Sequence, residues 1–254
     1  MKLRNRASLL VLVIPFLIIT ACKKDNKNSQ PTVIYGPVAP LSQGTMRSFV
    51  VMGTAGKPET IGVKFSASSL NSLPTDGTQE WEFPLELPVE AKITGFDHLA
   101  VDWNPHGHEP TPIYGLPHFD FHYYRVSKTE LALVVPGPDM TPVPVNYAPQ
   151  DYKSGVIAVP NMGVHWVDTL APEFTGKPFT NTFIYGFYHG QLTFMEPMVT
   201  LTTLQGQSDV KLNIKQPKDF QKSVYYPALT HISYDGTAKE YTMALEGLRW
   251  VDAK

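Results

Sequence analysis

Prolines recur along this chain and limit the length of any helix that it can form. The 254-residue sequence contains 23 prolines, about twice the usual proportion. A proline inside a helix removes a hydrogen bond and clashes with the preceding turn. Short segments with alternating apolar residues lie between the prolines, as in Phe119, Phe121 and Tyr123. This alternation predicts a mainly antiparallel β-domain, folded as a sandwich or a barrel.

Two dipeptides predict hairpins, and two segments predict short helices. His189-Gly190 separates the alternating segments 182–188 and 191–196. Asp235-Gly236 separates residues 226–234 from 241–251 in the same way. Residues 66–73 and 197–205 are the helix candidates, the second beginning at Pro197. We therefore expect one or two short helices in the β-domain.

The N-terminus has the features of a bacterial lipoprotein signal peptide. A basic start precedes an apolar run at residues 9–19, which is short for a membrane-spanning helix. The run ends at Ile19-Thr20-Ala21-Cys22, which resembles a lipobox, and Cys22 is the only cysteine. We predict a signal peptide over residues 1–22 and lipidation of Cys22. The alternative is an ordinary secretory signal with a coincidental cysteine.

A lipidated Cys22 would attach the protein to a membrane without a spanning helix. Lys23 follows it, and the absence of an aspartate at that position favours the outer membrane of the bacterial cell envelope. The protein could face the periplasm or the exterior. With its only thiol lipidated, the mature chain could form no disulfide and could offer no cysteine ligand.

The rest of the chain divides into a tether and one domain. Residues 23–44 are polar and then rich in proline and glycine, which predicts a flexible tether. Residues 45–254 suit a single β-domain with a real core. Loss of residues 1–22 removes 3 of the 21 basic residues and none of the 23 acidic ones, which leaves 18 against 23, a net charge of −5. This charge gives no electrostatic case for nucleic-acid binding.

A dense group of histidines indicates chemistry in the middle of the chain. Four of the eight histidines, His106, His108, His118 and His122, fall between residues 106 and 122, with Asp120 among them. In a strand, His118, Asp120 and His122 would point to one face, with neighbours about 6.8 Å apart. The short connection from residue 109 to 117 could return His108 to that face. Such a donor set suits a transition metal, zinc first, with copper or iron as alternatives.

Two later residues could complete this site. His165 lies among apolar residues, and Glu196 lies in an apolar strand end where an unpaired carboxylate is costly. The predicted metal ligands are therefore His106, His108, His118, His122 and His165. Asp120 and Glu196 are the predicted catalytic residues, as a base or as carboxylates that orient an imidazole. The alternative is a structural hydrogen-bond network among the same side chains.

Several motifs together resemble a bacterial family of uncharacterised function, the TTHB-type envelope proteins. The similar segments are residues 104–110, Tyr114, 117–124, 162–166, 183–186 and 196–198. The resemblance extends over residues 45–251. It implies an exported, mainly β protein that can be oligomeric, and it implies no established activity. The residues that match the family's pattern are His108, His118, Asp120, His122, His165 and Glu196.

Two main functions follow from these observations. The first is an exported lipoprotein with a histidine-rich metal site, in which zinc would activate water for hydrolysis or copper or iron would support redox chemistry. The second is a non-enzymatic binding or assembly protein of the envelope, in which the histidines form a structural network. A third, a carrier with an aromatic-lined cavity, rests on the fold class alone. The sequence leaves the small-molecule ligand open, and a homo-oligomer is compatible with each of the three.

Overall fold

The computed structural model describes residues 30–76 and 80–254. The predicted signal peptide and the predicted lipidation site at Cys22 lie outside these residues. Within the described ranges, none of the helices has the length and apolar character needed to cross a membrane.

The described residues form mainly antiparallel β-sheet, as predicted. In chain order the strands are β1 (Thr32–Leu41), β2 (Gly44–Met52), β3 (Pro58–Ser66), β4 (Trp81–Leu85), β5 (His98–Asn104), β6 (His118–Tyr124), β7 (Gly137–Pro138), β8 (Tyr152–Ser154), β9 (Ile157–Ala158), β10 (Val164–Asp168), β11 (Asn181–Tyr188), β12 (Gln191–Thr200), β13 (Val210–Asn213), β14 (Val224–Tyr226), β15 (Leu229–Asp235), β16 (Glu240–Glu246) and β17 (Arg249–Val251). The helices are short, as expected, although there are more than predicted. They are α1 (Thr111–Tyr114), α2 (Lys128–Leu131) and α3 (Leu201–Gln205), with 3₁₀ turns at Thr54–Gly56, Ala67–Leu70, Val89–Thr94 and Pro172–Phe174.

Two large sheets pack face to face as a sandwich. One has the strand order β1-β2-β3-β16-β15-β13 and the other the order β4-β5-β6-β12-β11-β10-β8. Aromatic contacts join them, since the ring of Phe65 on β3 lies 6.1 Å from that of Phe121 on β6. The Tyr123 hydroxyl on β6 donates a hydrogen bond to the Met243 carbonyl on β16 at 3.2 Å. Two small sheets, β14-β17 and β7-β9, complete the fold.

The alternation in β6 separates two kinds of surface. Phe119, Phe121 and Tyr123 point into the core between the large sheets. The alternate residues of β6 point to the outer face of the seven-stranded sheet, which is also buried. Apolar side chains from outside the sheet, including Tyr114, Leu131 and Phe179, pack over this outer face in a second cluster. Every residue of β6 is therefore buried, and its polar side chains lie in the interior of the protein.

The predicted tether is wrong from Thr32 onward, because Thr32–Leu41 forms β1 and pairs with β2. The linker-like dipeptide Gly36-Pro37 lies where the pairing register shifts, between Tyr35 and Val38. β1 is the outermost strand of its sheet, and a proline at a bulge in an edge strand removes no ladder hydrogen bond that the sheet needs.

The helix predicted from Pro197 is also wrong at its start. Pro197 lies inside β12, and α3 begins only at Leu201. The Thr200 side chain caps α3 by accepting a hydrogen bond from the Thr203 amide. In residues 66–73 only the 3₁₀ turn Ala67–Leu70 forms. Both predicted hairpins are confirmed: β11 pairs with β12 and β15 with β16.

Candidate metal centre

The register of β5 and β6 places polar side chains side by side on the outer face. Asp102 lies directly opposite Asp120, and Asn104 lies opposite His118. All four side chains are buried. Two buried carboxylates in opposite positions repel each other unless cations or hydrogen-bond donors compensate them. Two groups of residues around Asp102 and Asp120 supply these cations and hydrogen-bond donors.

Group A consists of His108, His118 and Asp120, whose potential ligand atoms all lie within 4.8 Å of one another. His118 Nε2 lies 3.2 Å from Asp120 Oδ1, and His108 Nε2 lies 3.3 Å from Asp120 Oδ2. His118 and Asp120 come from β6, whereas His108 comes from the connection between β5 and β6. This connection returns His108 to the sheet, as the short spacing predicts.

Backbone carbonyls fix the orientation of both imidazoles in group A. His118 Nδ1 donates to the Leu116 carbonyl at 2.6 Å, and His108 Nδ1 donates to the Glu109 carbonyl at 2.8 Å. With each Nδ1 protonated, the Nε2 atoms carry the lone pairs when the rings are neutral. Histidine metal ligands are oriented in this way, with the second ring nitrogen bonded to a carbonyl or carboxylate. Asn104 Nδ2 also donates to Asp120 Oδ2 at 2.8 Å.

Group B consists of His122, His165 and Glu196, and its ligand atoms also lie within 4.8 Å of one another. Glu196 Oε2 is 3.6 Å from His122 Nε2 and 3.5 Å from His165 Nε2. The three residues lie on three different strands, β6, β10 and β12. The site therefore forms only when the whole sheet is assembled.

The pairing of β12 with β6 positions Glu196, and Pro197 follows it in the strand. The pairs Phe194–Tyr124 and Met198–Asp120 define the register of β12 with β6 and put Glu196 opposite His122. No β6 partner is assigned to Glu196 or Pro197 within this pairing. Because proline has no N–H, the ladder is interrupted at the point where the carboxylate meets the imidazole.

A glycine allows His165 to approach this pair. Gly186 on β11 lies opposite His165 on β10, and a Cβ at position 186 would lie only 2.0 Å from the Phe194 ring. The Phe194 ring occupies that space, with its centroid 4.9 Å from that of His122 and 5.0 Å from that of His165. Phe194 is therefore an apolar wall against both imidazoles of group B.

The charges of group A are mutually compensated. Burial raises the pKa of Asp120, but the charges and hydrogen bonds of His118 and His108 outweigh burial and hold that pKa well below its usual range. Burial lowers the pKa of His108, but the hydrogen bond and charge of Asp120 raise it to about 9. His108 and Asp120 therefore form an ion pair in the absence of a metal ion.

The charges of group B are less well compensated. Burial raises the pKa of Glu196 to about 8, despite the opposing charge of His122. Burial and the positive charge of His122 lower the pKa of His165 to about 3. For His122, burial opposes protonation, but the Glu196 charge and the contact with Asp102 raise the pKa to about 10. His122 Nδ1 lies 2.7 Å from Asp102 Oδ2, although the alignment is too poor for a good hydrogen bond.

Among the described residues, buried polar atoms in both groups lack a hydrogen-bond partner. They are His118 Nε2 and Asp120 Oδ1 in group A, and His122 Nδ1, His122 Nε2 and Glu196 Oε2 in group B. Most buried polar atoms in proteins are hydrogen-bonded, and those that are not need an explanation. All of these atoms except His122 Nδ1, which faces Asp102, are among those that would bind a metal ion. Two buried His/Asp/Glu groups could therefore hold a metal.

Most of the predicted site residues come together, but in two groups instead of one. His106 joins neither group, because its side chain is exposed and its Nε2 contacts the Thr75 carbonyl at 3.2 Å. The prediction of His106 as a ligand is therefore not supported by this geometry. The structure adds Asp102 and Asn104 to the site residues predicted from the sequence. The sequence does contain an indication of both residues, because they are polar and alternate with Leu99, Val101 and Trp103 in a buried strand.

The remaining histidines lie apart from both groups. His98 contacts Asp97 at 2.8 Å, and its ring stacks on Tyr124, which in turn stacks on His122. His189 lies in the β11–β12 turn near Asp139, and His231 lies between Asp209 and Glu246 on the other large sheet.

No family model, curated protein or solved structure matches this chain. The resemblance to the TTHB-type envelope proteins therefore stays a prediction, and the functional argument rests on the geometry of groups A and B.

Proposed function

We propose that this chain is an exported metal-binding protein in which groups A and B each bind one transition-metal ion, with zinc expected first. Each group offers two imidazole nitrogens and one carboxylate. Zinc sites of this composition commonly leave a coordination position for water, whereas structural zinc sites are usually closed by a fourth protein ligand. Iron(II) is also bound by two histidines and one carboxylate.

The unpartnered buried atoms are the observation that carries this proposal. A structural network would be expected to satisfy His118 Nε2, His122 Nε2 and Glu196 Oε2, since each unmade buried hydrogen bond costs about 1–3 kcal/mol. One cation in each group would satisfy these atoms and would also reduce the repulsion between Asp102 and Asp120. Asp102 would then orient His122, and the backbone carbonyls of Leu116 and Glu109 would orient the group A imidazoles.

The site also supports a hydrolytic role for the bound metal. The His165 side chain is 25% exposed and that of His108 is 31% exposed, while their carboxylate partners are only 1–2% exposed. Solvent therefore has access to one side of each group. A zinc ion there would lower the pKa of bound water towards 7. Asp120 and Glu196, predicted as catalytic residues, lie among the ligand atoms, which favours a ligand role over that of a free base.

Metal analysis of the purified mature protein tests this proposal. After reconstitution with zinc and removal of excess ion, we expect about two equivalents per chain. The double variant His122→Ala/His165→Ala should retain about one equivalent, and so should His108→Ala/His118→Ala. His189→Ala, in an exposed turn, is the matched histidine control and should leave the stoichiometry unchanged. Binding well below one equivalent by the wild-type protein would favour the structural network instead.

The envelope location rests on residues 1–22 alone and has its own test. We propose that Cys22 is lipidated and attaches the chain to the outer membrane. In a bacterial host, mass spectrometry of the mature N-terminus should find an acylated Cys22, and Cys22→Ser should release the protein from the membrane fraction. Cleavage elsewhere, with no acyl group, would support an ordinary secretory signal.

A further inference from the structure

A small cavity lies beside group A. Its volume is about 240 Å³, and it is open to solvent on one side. It is lined by Thr111, Pro112, Ile113, Gly115, Leu116, Glu173, Lys177, Pro178 and Phe179. The wall combines polar and apolar surface, and the two charged side chains differ in burial. Glu173 is only 9% exposed, whereas Lys177 is an exposed residue at the rim.

Glu173 is a mostly buried residue whose side chain has no ion-pair partner among the described residues. One of its carboxylate oxygens, Oε1, is buried and has no hydrogen-bond partner within that part of the chain. Among residues 30–76 and 80–254, no lysine, arginine or histidine nitrogen lies within ion-pair distance of it. A buried charge is costly unless it is paired and hydrogen-bonded. Glu173 lines the cavity, so a cationic ligand in the cavity can pair with this side chain.

We propose that this cavity binds a small primary ammonium ion with a compact apolar body. Glu173 would accept hydrogen bonds from the ammonium group, and Ile113, Leu116 and Phe179 would contact the apolar part. Lys177 at the rim would disfavour a second positive charge on the ligand, because like charges brought together select against that partner. The cavity should therefore prefer a monoamine over a diamine of similar length.

The cavity shares its wall with group A. The Phe179 ring packs edge-on against the His118 ring, with centroids 5.3 Å apart, and the Leu116 carbonyl accepts the hydrogen bond from His118 Nδ1. A bound amine would therefore lie one aromatic ring away from the proposed metal. Because Glu173 belongs to neither metal group, amine binding does not require the metal.

Calorimetric titration of the mature protein with 2-phenylethylamine, at pH 7 and with EDTA present, tests the proposal. We expect saturable binding, with an affinity that falls at least about tenfold in Glu173→Gln, as for loss of a charge-assisted hydrogen bond. Glu90→Gln, which changes an exposed glutamate elsewhere, is the matched control and should bind like the wild type. 3-Phenylpropionate, with a similar apolar body and the opposite charge, should not bind, and cadaverine should bind more weakly than 2-phenylethylamine.

Absence of saturable amine binding would overturn the proposal, and so would equal affinity in Glu173→Gln or equal binding of 3-phenylpropionate. If Glu173→Gln unfolds, Leu116→Trp provides the second variant. Leu116 is 46% exposed, so a tryptophan there should narrow the cavity without disturbing the core, and it should abolish amine binding. Because EDTA removes the metal, a failure of amine binding is separate from a failure of zinc binding.

Discussion

Groups A and B contain the same types of ligand but differ in how the protein compensates their charges. In group A, Asp120 faces two imidazoles and accepts a hydrogen bond from Asn104. In group B, Glu196 has only longer contacts, at 3.5 and 3.6 Å, and burial raises its pKa to about 8. Group A can therefore be stable without an ion, whereas group B has more to gain from one. The predictions below test this difference.

Substitution of the two carboxylates should give the largest contrast. In metal-free protein we expect Asp120→Asn to lower the free energy of unfolding by about 3–5 kcal/mol, because it leaves buried partners uncompensated. Glu196→Gln should have little effect at pH 7, because a carboxyl group with a pKa of about 8 is already mostly protonated there and glutamine is a neutral side chain of similar shape. Urea denaturation in EDTA measures both. An equal loss in the free energy of unfolding for the two variants would show that the charges of the two groups are compensated to the same extent.

Zinc should change the stability most at alkaline pH. Without metal, the folded pKa values of His108, His122 and Glu196, about 9, 10 and 8, lie above their unfolded values. The folded state thus binds more protons than the unfolded state, and stability falls as the pH rises from about 6.5 to about 10. Zinc replaces those protons, so its affinity should rise with the pH and the gain at a fixed zinc concentration should be largest near pH 9. At 100 times the Kd of a site, each bound ion should add about 2.7 kcal/mol.

Thermal denaturation across this pH range, with EDTA or with zinc, measures the effect. Metal-free protein that becomes more stable towards pH 9 would contradict the assigned charges. In Glu196→Gln the zinc-dependent gain should shrink, while the contribution from group A should remain.

Gly186→Ala should damage group B and leave group A intact. The new Cβ would meet the Phe194 ring at 2.0 Å, and overpacking of this kind costs about 1–3 kcal/mol. Displacement of Phe194 would disturb His122 and His165, so we expect zinc stoichiometry to fall by about one equivalent. Metal analysis and urea denaturation provide the two readouts. Loss of both ions would show that the groups form one cooperative centre.

His106→Ala should have the smallest effect. Within the described residues its exposed ring makes one hydrogen bond, to the Thr75 carbonyl, so the free energy of unfolding should change by less than about 0.5 kcal/mol. Zinc stoichiometry should stay at the wild-type value. A loss of one zinc equivalent per chain would show that His106 is a metal ligand, as the sequence predicted.

The strand periodicity explains which parts of the site could be predicted. Alternation in residues 118–124 correctly placed His118, Asp120 and His122 on one face, because a strand has a fixed two-residue repeat. The apolar setting of Glu196 indicated a carboxylate that needs a partner. The division into two groups could not be predicted, since it depends on which strands lie beside β6.

Other errors came from local rules that the tertiary structure overrides. Pro197 is a typical first residue of a helix, yet here it lies in a central strand at an interruption of the ladder with β6. Gly36 and Pro37 are typical of a linker, yet they lie at a bulge in an edge strand. The role of Asp102 was missed because the sequence of a strand does not reveal which side chain of a neighbouring strand contacts a given aspartate. In the structure that side chain is His122.

Because β6 contributes both to the core and to the proposed metal sites, the route of ion release depends on how readily this strand opens. One face holds the two large sheets together, and the other carries three of the proposed ligands. This strand lies in the middle of its sheet, with neighbours on both sides, and interior strands open only at a cost close to that of complete unfolding. An ion in group A would therefore leave by displacement of the His108 connection, at a rate independent of sheet opening. An ion in group B, enclosed by three strands, would exchange more slowly.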